Sequence, residues 1–348
     1  MKLYLHPIDG ITYDRPLLAP LVAPGDGGGF VLRPAIVAAG VQAVGSLAEA
    51  DVAALPVLWR QHTRAERAEA VRFIDEAGLA GTRVAIWVDG DDEVDLPWPH
   101  VIQFQHAYRR ARVRRTSSHA YPTFFADIVA TEFDDDLAPV PKGPTPIVGF
   151  CGQARASAAD EAKRLAWKVG TRAWSLAGRT EVVPEPLSSH LRLRRQVLAS
   201  LEHDPRVRTD FVVRDQYRAG LDKLRDAPEV LDASSMGFFG NIRGAHYTVC
   251  VRGGGNFSVR LYETLCLGRI PLIVDDDGVL PWPDHPFWSE TALVVDRRDL
   301  ATLPDRVVAH HAAASEDGWI ERQRAAQDFW RGWLSRPGYL HHLPELLR

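Results

Sequence analysis

The stretch from Tyr247 to Gly278, YTVCVRGGGNFSVRLYETLCLGRIPLIVDDDG, constrains the fold of this chain more than any other part of it. It reads as a strand over residues 247–251, a glycine-rich turn over 252–256, a helix over 257–267 stopped by Gly268, and a second strand over 270–274. Strand, helix and strand in that order form a βαβ unit, which belongs to a parallel sheet layered with helices.

The rest of the chain repeats the pattern. Residues 2–5, 57–59, 84–88 and 101–104 read as strands. Residues 63–76 read as an amphipathic helix with Ala65, Ala68, Val71 or Phe73, and Ile74 inward, ending near Gly78. Four prolines and a glycine between Leu137 and Pro146 break both helix and sheet, which marks a linker. A second series follows: a strand over 147–150, a helix from the Ser157/Asp160 start through Val169, a helix over 191–202, a strand over 211–213, and a tryptophan-rich helical tail over 316–334. At 348 residues the chain has room for two medium domains. They are expected at 1–140 and 147–315, with residues 316–348 as a terminal helical segment.

Composition narrows the function. Apolar residues make up 46% and charged residues 25%, a globular balance, and the net charge of −4 gives no general attraction to nucleic acid. Cys151, Cys250 and Cys266 lack metal or redox spacing and read as buried thiols in a reducing compartment. No apolar run approaches the ~18 residues of a membrane span, and the first residues lack a secretory pattern. A cytoplasmic location is expected, with a peripheral place at the inner membrane surface as its variant.

The glycine-rich turn is where chemistry is expected. Gly253, Gly254 and Gly255 permit positive φ and close approach of a ligand, and they lead into a helix N-terminus that favours an anion such as a diphosphate. Ser258 adds a hydroxyl donor there, and Arg252 and Arg260 add charge-assisted contacts. Glu263, one turn deeper on the face of Arg260, is placed to accept the two hydroxyls of a ribose. A P-loop is excluded, since no lysine stands at the helix start. A dinucleotide site, as in a nicotinamide-dependent oxidoreductase, fits at Gly253, Gly255 and Asp275 but has Ser258 where its third glycine belongs. That reading stays open beside a nucleotide-sugar site, catalytic or not.

The run Tyr247, Cys250, Arg252, Gly253, Ser258, Arg260, Glu263, Gly268, Ile270, Pro271 and Asp275 resembles the signature of exostosin-like glycosyltransferases. Leu280-Pro281-Trp282, Phe150-Cys151-Gly152 and the helix over 192–198 match further elements of that family in order. Ala245-His246 departs from it, standing where a serine or cysteine is usual. The resemblance covers about residues 147–300. It implies the GT-B fold: two Rossmann-like α/β domains facing each other across a cleft, the first for the acceptor, the second for the nucleotide-sugar, with the last helix crossing back. It further implies an inverting transfer from a nucleotide-sugar, expected to be of the uridine type, to a glycan, lipid-linked or other hydroxyl acceptor. The expected donor site comprises Arg155, Arg252, Gly253, Gly254, Gly255, Asn256, Ser258, Arg260, Glu263 and Asp275.

Such a transfer needs cationic stabilisation of the leaving diphosphate and a base for the acceptor hydroxyl. Asp89, at the end of the strand 84–88, is the expected base, with Asp9, Asp14 and His106 as rivals at similar strand ends. The clusters 89–92 and 275–277 carry Asp-x-Asp spacing but read as turns after strands, so no metal or other cofactor is expected. The basic run over 108–115 reads as a solvated surface or an anionic-acceptor site. His310-His311 and His341-His342 read as surface residues.

Overall fold

Two parallel sheets carry the core. In the computed structural model, which describes residues 1–7, 18–25, 30–112, 117–216 and 228–348, each strand of these sheets is followed by a return across a sheet face. The first half runs β1 (Lys2–Leu5), a short antiparallel hairpin of β2 (Val22–Pro24) and β3 (Phe30–Leu32), helix α1 (Pro34–Ala38), β4 (Gln42–Val44), β5 (Val52–Ala54), α2 (Arg64–Leu79), β6 (Arg83–Val88), β7 (Val101–Gln105) and β8 (Ser118–Ala120). Its sheet is ordered β4-β1-β5-β6-β7-β8. After α3 (Ile128–Glu132) come β9 (Ile147–Gln153), α4 (Ala158–Leu176), α5 (His190–Glu202), β10 (Arg208–Arg214), α6 (Pro228–Arg243), β11 (Tyr247–Cys250), α7 (Val259–Cys266), β12 (Ile270–Asp275), α8 (Phe287–Glu290), β13 (Leu293–Asp296) and α9 (Leu303–Ala312). This second sheet is ordered β10-β9-β11-β12-β13. Helices α10 (Glu316–Phe329) and α11 (Arg336–Leu347) end the chain.

Local chemistry accounts for most boundaries. Thr63 and Glu66 form a reciprocal capping box at the start of α2, Thr63 N–H donating to the Glu66 carboxylate at 2.6 Å. The helix buries Ala70, Phe73, Ile74 and Ala77, whereas Ala65 and Ala68 face solvent. The large side chains of Phe73 and Ile74 gain most from burial, so they set its rotation. The strand expected at 57–59 lies instead at Val52–Ala54. Pro56 has no N–H to give a ladder, Val57 makes a lone antiparallel bridge to Leu18, and Trp59 opens a 3-10 turn. Gly268 ends α7 at φ +61°, a conformation that suits glycine.

The tail is not one helix. A π-helical turn over Trp330–Leu334 leads to Ser335, whose extended backbone stops α10 and whose hydroxyl accepts from Gly338 N–H at 3.2 Å to start α11. Phe329 and Trp330 pack with Leu261 and Leu265 of α7. Tyr339, Leu340 and Leu343 of α11 pack instead in the core of the first sheet, with Trp87 Nε1 donating to the Tyr339 hydroxyl at 3.2 Å. The chain therefore crosses back to its first sheet at Ser335.

Several histidines are interior. His311 is buried, bonded to the Gly143 carbonyl at 2.8 Å, and His310 Nδ1 meets the Tyr247 hydroxyl at 2.8 Å, so this pair is not the surface feature its sequence indicates. Burial lowers His106, His119 and His310 to about 4 and His190 to about 3. Between these values and 6.5 the unfolded chain binds protons that the folded one refuses, so stability falls as pH falls through that window. Thermal melts are expected to show a midpoint at pH 5 at least ~5 °C below that at pH 7.5. A flat profile would show these rings accessible to protons in the fold.

Candidate functional site

The carboxyl edges of the two sheets face each other. Beyond β7, Arg110 N–H donates to the Asp277 carbonyl at 3.0 Å, and Val279 N–H beyond β12 donates to the Tyr108 carbonyl at 3.0 Å. His106, also beyond β7, stacks on Phe257 beyond β11 with ring centroids 5.2 Å apart. In the second sheet the strand order reverses at β9, with β10 on one side and β11 on the other. Ligands of doubly wound sheets bind at that reversal, in the crevice at the carboxyl ends.

Two arginines span the crevice. Arg260, from α7, donates to the Cys151 carbonyl on β9 at 2.8 Å and lies over the Phe150 ring at 4.5 Å, while its buried Nε has no hydrogen-bond partner. Burial weakens its hold on the proton. Glu263, three residues on, is close enough for its charge to act on Arg260. Arg194, from α5, donates to the Gln153 carbonyl at 2.8 Å and the Arg252 carbonyl at 2.9 Å, tying the ends of β9 and β11 together. The lowered pKa of nearby His190 comes first from burial and then from Arg194, Arg164, Arg252 and Lys168, which marks a concentration of positive charge here.

A second group surrounds an open cleft lined by Arg252, Asn256, Ser258, Tyr262, Asp275 and Leu280 among others. Arg252 is buried and pairs with Asp276 at 2.7 Å, with Glu185 at 3.9 Å. Burial alone would raise Asp276, but Arg297 and Arg252 outweigh it and hold its carboxyl below the usual range. Asp275 pairs with Arg110, and Asp277 accepts from the Ala111 N–H at 3.2 Å. Asn256 donates to the Tyr108 carbonyl at 3.4 Å. The expected donor residues thus fall into two neighbouring groups: Arg252, Asn256, Ser258 and Asp275 at the cleft, Arg260 and Glu263 at the crevice. Arg155 stands apart, exposed and 4.0 Å from Asp215.

None of the three glycines adopts a positive φ, and close approach is what Gly254 and Gly255 serve. The loop after β6 packs on them: a Cβ at Gly255 would overlap the Asp91 carbonyl, and one at Gly254 would lie 2.9 Å from the Asp91 carboxylate. The turn itself closes through Gly253 N–H to the Phe257 carbonyl at 2.9 Å. Ser258 is the N-cap of α7, and its hydroxyl makes no capping bond, which leaves the first N–H groups of the helix without that partner. Asp91 itself is raised by burial and then by Asp92, against Arg60. Sequence reasoning grouped Asp91 only as part of an acidic turn.

Asp89 accepts from the Arg60 N–H at 3.3 Å and from the Gln61 amide. His106 Nδ1 lies 3.0 Å from the Tyr121 carbonyl, which can only accept, so Nδ1 carries the proton and the Nε2 lone pair is left. Asp9 and Asp14 lie outside the described residues, as do residues 113–115 of the basic run. In the described part of that run Arg109 pairs with Glu93 at 2.6 Å, and Arg110, though exposed, pairs with Asp275. His246, where the family has a small polar residue, accepts from Ile147 N–H at 3.0 Å and reaches the Pro141 carbonyl at 3.0 Å, so it fastens the interdomain segment. Arg194 and Glu185 were missed as site residues. The helix over 192–198 was legible, but nothing in its spacing says which arginine reaches the strand ends.

Two Rossmann-like parallel sheets with opposed carboxyl edges and a returning C-terminal helix define a GT-B protein. No family profile matches the chain. Among curated proteins it is similar to a probable glucuronoxylan glucuronosyltransferase of Arabidopsis thaliana (IRX7), 33% identical over 86 residues, 25% of this chain and 19% of that protein. A probable β-1,4-xylosyltransferase of the same plant (IRX10L) is 33% identical over 95 residues, 27% of this chain and 23% of that protein. An Exostosin-1 homolog of Caenorhabditis elegans is 33% identical over 67 residues, 19% of this chain and 18% of that protein. The stretch shared with these relatives resembles the exostosin-like glycosyltransferases, and the chain spans only about a fifth of each relative's length. Among solved structures, a glycosyltransferase from Rickettsia africae covers 88% of this chain and 84% of its own at 8% identity and a TM-score of 0.38, a likeness too loose to bear on chemistry.

Proposed function

We propose that this chain transfers a sugar from a uridine-type nucleotide-sugar to a hydroxyl of a glycan or lipid-linked acceptor, with inversion and without a metal ion. One observation carries the reading: at the β9/β11 crevice a buried guanidinium nitrogen of Arg260 lacks a partner and a carboxylate, Glu263, stands one turn away. The diphosphate takes charge-assisted bonds from Arg260 and Arg252 and from the open N–H groups of α7, and Glu263 accepts the ribose hydroxyls. The relatives' names, glucuronosyltransferase and xylosyltransferase, favour a uronosyl or pentosyl donor.

In the transfer, the acceptor oxygen bonds to the anomeric carbon from the face opposite the diphosphate. The bond from that carbon to the diphosphate oxygen breaks, its electron pair leaving with the nucleoside diphosphate, and the acceptor's proton passes to Asp89. The Arg60 N–H and the Gln61 amide orient the Asp89 carboxylate, and each oxygen keeps a further lone pair for that proton. His106 stays neutral at pH 7 beside it.

The acidic cluster after β12 supports the reading without a metal ion. Asp275, Asp276 and Asp277 are already engaged by Arg110, by Arg252 and Arg297, and by backbone N–H, so cations of the protein take the place of a divalent ion. Release of UDP from UDP-glucuronic acid and UDP-xylose, measured with and without EDTA, is the test. The expected result is release from at least one donor at a rate that chelation leaves within about twofold, below the tenfold step of 1.4 kcal/mol. No release from either donor would count against transfer. Loss on chelation restored by Mn²⁺ would return the aspartates to a metal.

A further inference from the structure

Helix α4 is turned the wrong way round for a helix on a globular domain. Leu165, Val169, Ala173 and Leu176 recur at helical spacing and form an apolar stripe. The stripe faces solvent: Leu165 is 47%, Val169 52% and Leu176 85% exposed, and Trp167 and Trp174, two turns apart beside it, are 53% and 63% exposed. The polar face is the one packed on the protein. Lys168, the buried residue of this helix, pairs with Glu185 at 3.2 Å and donates to the Pro186 and Ser188 carbonyls. Arg164 meets His190 at 3.0 Å, and Glu161 pairs with Arg195 at 3.2 Å. The inverted orientation is held by specific polar contacts, so the helix cannot simply roll its stripe inward.

We propose that α4 docks the protein on an anionic lipid surface, its apolar stripe and two tryptophans lying in the interface. Residues 162–179 hold five basic residues, Lys163, Arg164, Lys168, Arg172 and Arg179, and no acid, in a chain whose net charge is −4. Leucine and valine on one face, tryptophan at its margin and lysine and arginine around it are what an in-plane helix needs. Anionic headgroups supply the countercharge to the exposed basic residues. A second copy of this chain fits less well, because a two-fold pairing through this face brings the basic residues of one copy towards those of the other with no acid between 162 and 179 to offset them. No helix among the described residues is long and apolar enough to cross a membrane. Helix α4 links to the cleft through Glu185, which touches both Lys168 and Arg252.

Flotation of the full chain with phosphatidylcholine vesicles, with and without phosphatidylglycerol, tests this. The wild type is expected to float with the anionic vesicles, to show a blue shift of tryptophan emission and to be released by salt. The Trp167→Ser/Trp174→Ser/Leu176→Ser variant is expected to partition at least ~10-fold less, because it removes most of the apolar surface offered to the interface, with an unchanged thermal melt because these side chains are exposed. Lys163→Glu/Arg172→Glu is expected to lose the preference for anionic vesicles while folding normally. Three results would overturn the proposal: no partitioning of the wild type, equal partitioning of the triple variant, or a wild-type dimer in solution that the triple variant converts to monomer.

Discussion

Asp89→Asn is expected to fold, to bind donor with near-normal affinity and to lose roughly 10²–10⁴-fold in transfer rate, the usual loss on removing a general base. Asparagine keeps the size of the side chain, its oxygen can still accept from the Arg60 N–H, and the Gln61 amide can turn its own oxygen to accept from the new NH2, so the loop after β6 keeps both contacts. What it lacks is a site for the acceptor's proton. Donor binding and transfer are to be measured separately on the same preparation, because a change in both would indicate a disturbed cleft. His106→Gln is the informative control. It keeps a polar side chain against the Tyr121 carbonyl and the contact with Phe257, and it should retain most of the turnover. If Asp89→Asn turns over normally and His106→Gln does not, the base is His106, whose unprotonated Nε2 is chemically competent.

Glu263→Ala is expected to weaken binding of a nucleoside diphosphate at least tenfold. A carboxylate that accepts two ribose hydroxyls makes charge-assisted bonds worth about 1.5–3 kcal/mol each at most, and about 1.4 kcal/mol is one decade of affinity. A 2′,3′-dideoxy nucleotide offers no such hydroxyls and should bind both proteins nearly alike. That comparison separates a ribose contact from an indirect effect on Arg260, since disturbing Arg260 would weaken both nucleotides equally.

The βαβ core was legible because its signals are local. The strands at β1, β6, β7, β9 and β12, the capping pair at Ser157, and the stop at Gly268 each depend on a few adjacent residues. What was not legible depends on contacts between segments far apart in the chain. The glycines over 253–255 announce a close approach, but the group that approaches is Asp91, more than 160 residues earlier. Arg110 and the aspartates 275–277 look like separate charge runs, yet they neutralise each other across the cleft. The rotation of α4 was likewise hidden. Its periodicity fixes an apolar stripe but not its direction, which is decided by Lys168 reaching Glu185 and two carbonyls.

The account stands on a nucleotide-sugar bound at the β9/β11 crevice, and the wild-type half of the nucleotide titration tests it most directly. Calorimetry of the unmodified protein with UDP, with its 2′,3′-dideoxy analogue and with NAD(P) is the measurement. The account predicts that UDP binds, that removing the two hydroxyls costs at least a tenfold loss, about 1.4 kcal/mol, and that NAD(P) does not compete. Binding of NAD(P) alone, or of UDP with equal affinity whether or not the hydroxyls are present, would contradict it.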